Sequence, residues 1–172
     1  MIKPLILNTP YPDLSSVKLD LKSASIIYQA YAGAHGELTA SIGSANRFFS
    51  IYHLENENSK SLFLSIMLAE ICHLELLSEL LFKLGVDNHH LKFIPRIIDN
   101  GKSRPPERQG GVEKALLDAM SFELVSIEGY KKILRRLKDQ TAKKVIERII
   151  QDEEYHASKI NQMLEEIKIN RA

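Results

Sequence analysis

The sequence has one cysteine, Cys72, no tryptophan, and almost no net charge: 23 Lys and Arg stand against 22 Asp and Glu, a formal +1. A lone cysteine excludes an internal disulfide, and the lack of thiolates argues against a structural zinc site or an Fe–S cluster. The charge balance makes no case for nucleic acid or an anionic membrane as partner. No apolar run reaches the ~18 residues needed to span a bilayer. The opening segment, MIKPLILNTPYP, has one Lys and a short apolar patch broken by prolines, unlike the long apolar stretch of a signal peptide. A soluble cytoplasmic protein is expected, with neither membrane nor nucleic acid among its partners. The 172 residues are expected to form a single domain with a sizeable core.

Hydrophobic periodicity then predicts an all-α chain. Residues 1–16, with Pro4, Pro10 and Pro12, read as an extended arm. A first helix is expected from about 17–23 to about 53, weakened by Gly33, Gly36 and Gly43, since each costs about 1 kcal/mol relative to Ala. LENENS, 54–59, reads as a turn. Residues 59–84 form a strongly patterned second helix, with Phe63, Ile66, Leu77, Leu81 and Leu84 at 3–4 spacing and Gly85 as its stop. Residues 86–110 hold Pro95, Pro105, Pro106, Gly101 and Gly110 and read as a long crossover, with LKFIPRII its one apolar piece. Two further helices are expected over 112–137 and 141–168, joined at KDQT. Connections that run short, long, short let the third helix lie parallel to the second. That is a four-helix bundle with one long crossover.

The informative polar residues lie on the inward faces. The chain contains two Glu-x-x-His pairs, Glu70-x-x-His73 and Glu153-x-x-His156. Glu37 precedes the first pair by 33 residues and Glu123 the second by 30. Residues three apart share a helix face. Two residues level on antiparallel helices must also straddle the turn between them. The midpoint of 123 and 153 falls at 138, the first residue of KDQT, and that of 37 and 70 at the edge of LENENS. Six carboxylate and imidazole donors at one height suit a pair of Fe or Mn ions. Four inward carboxylates would otherwise each cost several kcal/mol unless protonated or paired.

The bland readings differ in weight. A single Glu-x-x-His on a charged helix is usually a surface acid and an incidental His. Here six residues agree in type, spacing and face, and each Glu has apolar or small helical neighbours, such as Ala119, Met120 and Ile127 around Glu123. Tyr130, two turns after Glu123, could hydrogen-bond a ligand or a bound oxygen species, or could be an ordinary core tyrosine. Asp152 could orient a histidine ring from its other nitrogen, or could be a surface acid in the run DEE. His35 lies off the Glu37 face, and His53, His89 and His90 lie at a turn and in the crossover. Lys131, Lys132, Arg135 and Arg136 read as a solvated basic face.

Over roughly residues 22–168 the chain resembles the rubrerythrin and ferritin-like superfamily. YAGAHGELTA (31–40), AEICHLELLSELLFKLGVD (69–87) and RIIQDEEYH (148–156) look like its ligand helices. The resemblance implies that Glu37, Glu70, His73, Glu123, Glu153 and His156 bind two iron ions, and that Asp152 contacts His73. It implies an oxidoreductase acting on O2 or H2O2. Rubrerythrins carry a further Glu one turn before the third-helix Glu, where this chain has Met120, and they usually append a rubredoxin module with two Cys-x-x-Cys pairs, which this sequence lacks. An external electron donor is therefore expected. GELTA is also similar to manganese catalases, which makes two manganese ions the alternative; a non-enzymatic iron-binding or structural bundle is the other. A homodimer is expected, with the arm and the segment around Phe93 as candidate contacts.

Overall fold

The computed structural model describes residues 2–54, 56–87 and 111–170. Among them every regular element is a helix: α1 (Leu21–Ala32), α2 (Glu37–Ser50), α3 (Glu57–Lys83), α4 (Gly111–Arg136) and α5 (Gln140–Ile169). The starts are chemically marked. Asp20 caps α1 through Lys22 and Ser23 amides, Asn56 caps α3 through Ser59, and Asp139 caps α5 through Ala142. Past α3, Gly85 adopts φ +100°, its amide bonds Phe82, and the Val86 amide bonds Leu81, which closes the helix end in a Schellman arrangement.

Two apolar clusters give the direction of each helix. One holds Ala24, Ile27 and Ala30 of α1, Leu77 to Leu84 of α3 and its C-terminal end, Ile127 to Ile133 of α4, and Val145 to Ile150 of α5. The other holds Ile51, Phe63 and Ile66, Leu116 and Ala119, and Ile160 and Leu164. So α1–α2 and α5 run from the first cluster to the second, while α3 and α4 both run from the second to the first. The expected crossover, 86–110, has only its first two residues within the described residues; His89, His90 and Phe93 lie outside them.

The structure differs from the expected helices at one place. The first helix is not continuous: it breaks between Ala32 and Glu37. A Cβ on Gly33 would lie 2.3 Å from the Gln29 carbonyl oxygen, and one on Gly36 would lie 2.4 Å from that of Ala30. The break is thus closed by two contacts that only glycine permits. Thr39 Oγ1 donates to the Gly33 carbonyl at 3.0 Å and fixes the start of α2.

α3 is also more apolar than expected. An 18-residue window of it has mean hydropathy 1.6, long and apolar enough to cross a membrane by length and composition alone. In the bundle it contributes to both clusters, with Phe63, Ile66, Leu77 and Leu81 buried. The arm lies along the bundle: Leu5 N–H donates to the Ser65 carbonyl of α3, and Leu7 N–H to Asp152 of α5.

Candidate metal centre

Between the two apolar clusters lies a polar layer. Glu37 opens α2, Glu70 and His73 sit mid-α3, Glu123 mid-α4, and Glu153 and His156 mid-α5; each is at most 2 % exposed. Their donor atoms form two overlapping groups, Glu37, Glu70, His73 and Glu153, and Glu70, Glu123, Glu153 and His156, each within 4.8 Å. His73 Nδ1 is 3.3 Å from Glu37 Oε2, 3.2 Å from Glu70 Oε2 and 3.4 Å from Glu153 Oε1. His156 Nδ1 is 3.4 Å from Glu153 Oε2, 3.7 Å from Glu70 Oε1 and 3.9 Å from Glu123 Oε2. Two donors sharing one ion at bonds of about 2.1 Å can be at most about 4.2 Å apart. All six spacings meet that limit. Glu70 and Glu153 each turn one oxygen to either histidine and so belong to both groups, with Glu37 and Glu123 at the two ends.

The outward nitrogens decide what the inward ones are. His156 Nε2 lies 2.8 Å from the Leu5 carbonyl oxygen. A carbonyl only accepts, so Nε2 carries the proton, and in the neutral ring Nδ1 offers a lone pair to the cluster. His73 Nε2 likewise donates to Asp152 Oδ2 at 3.1 Å. Asp152 also accepts from Leu7 N–H at 2.8 Å and Tyr11 Oη at 3.1 Å, and it pairs with the Arg148 guanidinium at 2.6 Å. Burial disfavours its charge, yet the bonds from His73, Arg148 and Leu7 prevail and hold it below the usual carboxylate range. At the far side Tyr130, 2 % exposed, donates a short hydrogen bond to Glu37 Oε1.

The inward face is left short of positive charge. Among the described residues, Glu70 Oε1, Glu123 Oε2, Glu153 Oε1 and His156 Nδ1 are buried with no hydrogen-bond partner. Without a metal, protons must stand in for it. Burial, then Glu153, pushes the Glu123 carboxyl up to about 8, and burial with Glu153 and Glu37 raises Glu70 well above its usual range. Glu153 is held well below its usual value despite burial, because Glu123 and both histidines bond to it. Burial would lower both histidines, but Glu37 with Asp152, and Glu123 with Glu153, raise them well above 6.5. Orphaned lone pairs converging at ligand spacing fit a metal better than they fit shared protons.

Three groups escape the sequence reading: Tyr11, Arg148 and the arm's backbone. Arg148, 4 % exposed, donates to the Leu7 and Thr9 carbonyls and lies over the Tyr11 ring at 4.8 Å. Its position one turn before Asp152 on the buried face of α5 is the signal that could have found it. The remaining candidates stand apart. His35 is exposed in the break, its ring 5.7 Å from that of Phe122, and His53 is exposed at its turn. Met120 is partly buried against the second apolar cluster. Lys131 pairs with Glu128 and Arg136 with Gln29, while Lys132 and Arg136 line a cavity of about 340 Å³ that includes His35, Gly129 and Tyr130.

The comparisons with known proteins agree with this geometry at the level of fold. A family profile described as ferritin-like domain matches residues 32–166. Two crystal structures of KatB, a manganese catalase from Anabaena, superpose with a TM-score of 0.71 at 16 % identity, covering 94 % of this chain and 80 % of theirs. No curated protein matches the chain.

Proposed function

The chain belongs to the ferritin-like domain family, and from that premise we propose that it is a rubrerythrin-like dinuclear metal oxidoreductase acting on H2O2 or O2. One observation carries the reading: both histidines turn Nδ1 inward onto two carboxylates that face both of them, and four of the converging atoms lack any other partner. Glu37, Glu70, His73 and Glu153 would hold one ion, and Glu70, Glu123, Glu153 and His156 the other. Two such ions, when bound, supply the two electrons that break an O–O bond. The chain's residues do the rest. The apolar clusters on either side keep the layer dry, Asp152 and the Leu5 carbonyl hold the rings in register, and the Tyr130 hydroxyl positions Glu37 by donating a hydrogen bond to Oε1.

Two iron ions with an external donor is the first form of this reading. The second is a manganese catalase-like reaction, 2 H2O2 giving 2 H2O and O2, which consumes no donor. The fold shared with KatB favours it, and so does Met120, which leaves no fifth carboxylate near Glu123. Protein loaded anaerobically with Fe(II) or with Mn(II) and mixed with H2O2, or with O2, separates them. Donor-free O2 release by the manganese form supports the catalase. Oxidation of the ferrous form, with turnover only when a reductant is added, supports the peroxidase. Full loading and inertness to both oxidants would refute the redox reading and leave a storage or structural bundle.

A further inference from the structure

The arm reaches the cluster through its backbone. Along α5, Leu5 lies at His156, Leu7 at Asp152 and Thr9 at Arg148, so the arm runs antiparallel to α5 in the groove beside α3. Every one of these contacts involves a main-chain atom that no side-chain pattern encodes. The Leu5 carbonyl does for His156 what Asp152 does for His73, and Asp152 is itself positioned by the Leu7 amide and the Tyr11 hydroxyl. Tyr11 completes the layer, its ring edge-on to His73 at 6.3 Å. The helices are bound into the bundle along their length. The arm is held by hydrogen bonds and by the partial packing of Leu5 and Tyr11 against the edges of the two apolar clusters, and a segment at the edge of a core opens locally at lower free energy than the core itself.

We propose that residues 5–11 form a latch on the metal site: closed, the arm aims both Nδ1 atoms at the cluster, and its opening sets the rate at which metal leaves. The latch rests on the dinuclear reading above. When the arm lifts, His156 Nε2 loses the Leu5 carbonyl that fixes the ring, and Asp152 loses two of its four partners. Both changes weaken ligands without touching one. Metal in turn pins the rings and so holds the arm down, because the coupling is reciprocal.

The test uses the full chain loaded with Mn(II) and a chelator in excess. Leu7→Pro removes the donor to Asp152, whereas Leu7→Ala keeps it. Release should quicken about tenfold or more in Leu7→Pro, severalfold in Tyr11→Phe, and less than about twofold in Leu7→Ala, in line with losses of outer contacts at metal sites. Equal release from Leu7→Pro and Leu7→Ala would overturn the latch. Should Leu7→Pro not fold, wild-type amide exchange decides: the Leu7 amide should exchange several times more slowly with Mn(II) than without. Exchange indifferent to metal would also overturn it. Wild-type protein that takes up no metal would instead bring down the dinuclear reading, and the latch with it.

Discussion

Removing metal should make stability depend on pH in a defined direction. In the metal-free cluster Glu123 titrates at about 8 rather than 4.5, raised by burial and Glu153. Between those values the folded chain holds a proton that the unfolded chain has released. Unfolding stability therefore falls as pH rises through the window, by up to about 1.4 kcal/mol per pH unit, or on the order of 5 kcal/mol in all from this group. His73 and His156, raised by their carboxylate neighbours, act in the same direction above 6.5. Their stabilisation is complete below 6.5 and is lost as pH climbs through the folded values. Asp152 and Glu153, held low, act oppositely and only in acid, where stability is lost as pH falls. Metal displaces these protons, so its stabilising effect should grow with pH. Urea unfolding of chelator-treated protein at pH 5, 6.5 and 8, with and without Mn(II), reads both trends. Metal-free stability that stays flat or rises from pH 5 to 8 would refute the account of a proton-filled cluster.

The other predictions concern single sites. Glu123→Leu should weaken metal binding yet raise metal-free stability by about 1–3 kcal/mol, since a buried acid gives way to an apolar group; denaturant midpoints check the sign. Glu37→Leu should not show that gain unless combined with Tyr130→Phe, because alone it strands the buried Tyr130 hydroxyl. Gly33→Ala should lower the melting temperature markedly, as its Cβ meets a carbonyl at 2.3 Å, whereas Gly129→Ala, whose Cβ meets nothing within 4 Å, should raise helix stability by about 1 kcal/mol. His73→Ala and His156→Ala should each abolish oxidation of the ferrous protein by H2O2 in stopped flow, and His35→Ala, exposed in the break, should leave it intact.

What the sequence could and could not disclose follows from where the information is written. The inward faces of α3, α4 and α5 are legible because helical period and residue type coincide at Glu70, His73, Glu123, Glu153 and His156, and the connection lengths alone imply parallel α3 and α4. The break before Glu37 is not, because Gly33 and Gly36 register in a propensity sum as weak helix formers. Their real role is a close approach of Cα to carbonyls of the preceding turn. The latch contacts were hidden for a deeper reason. The groups that hold His156 and Asp152 from the arm are a carbonyl and an amide, which every residue owns. Arg148 was within reach, since its spacing from Asp152 places both on the face of α5 that carries Glu153 and His156.

The most direct test of the central claim is a count. Anaerobic titration of the folded, metal-free protein with Fe(II) or Mn(II), read by calorimetry and by elemental analysis after desalting, should saturate at two ions per chain. Glu70 and Glu153 each face both histidines, the arrangement on which the proposed pair rests. Saturation at one ion, or no uptake by protein that remains folded, would contradict the dinuclear centre.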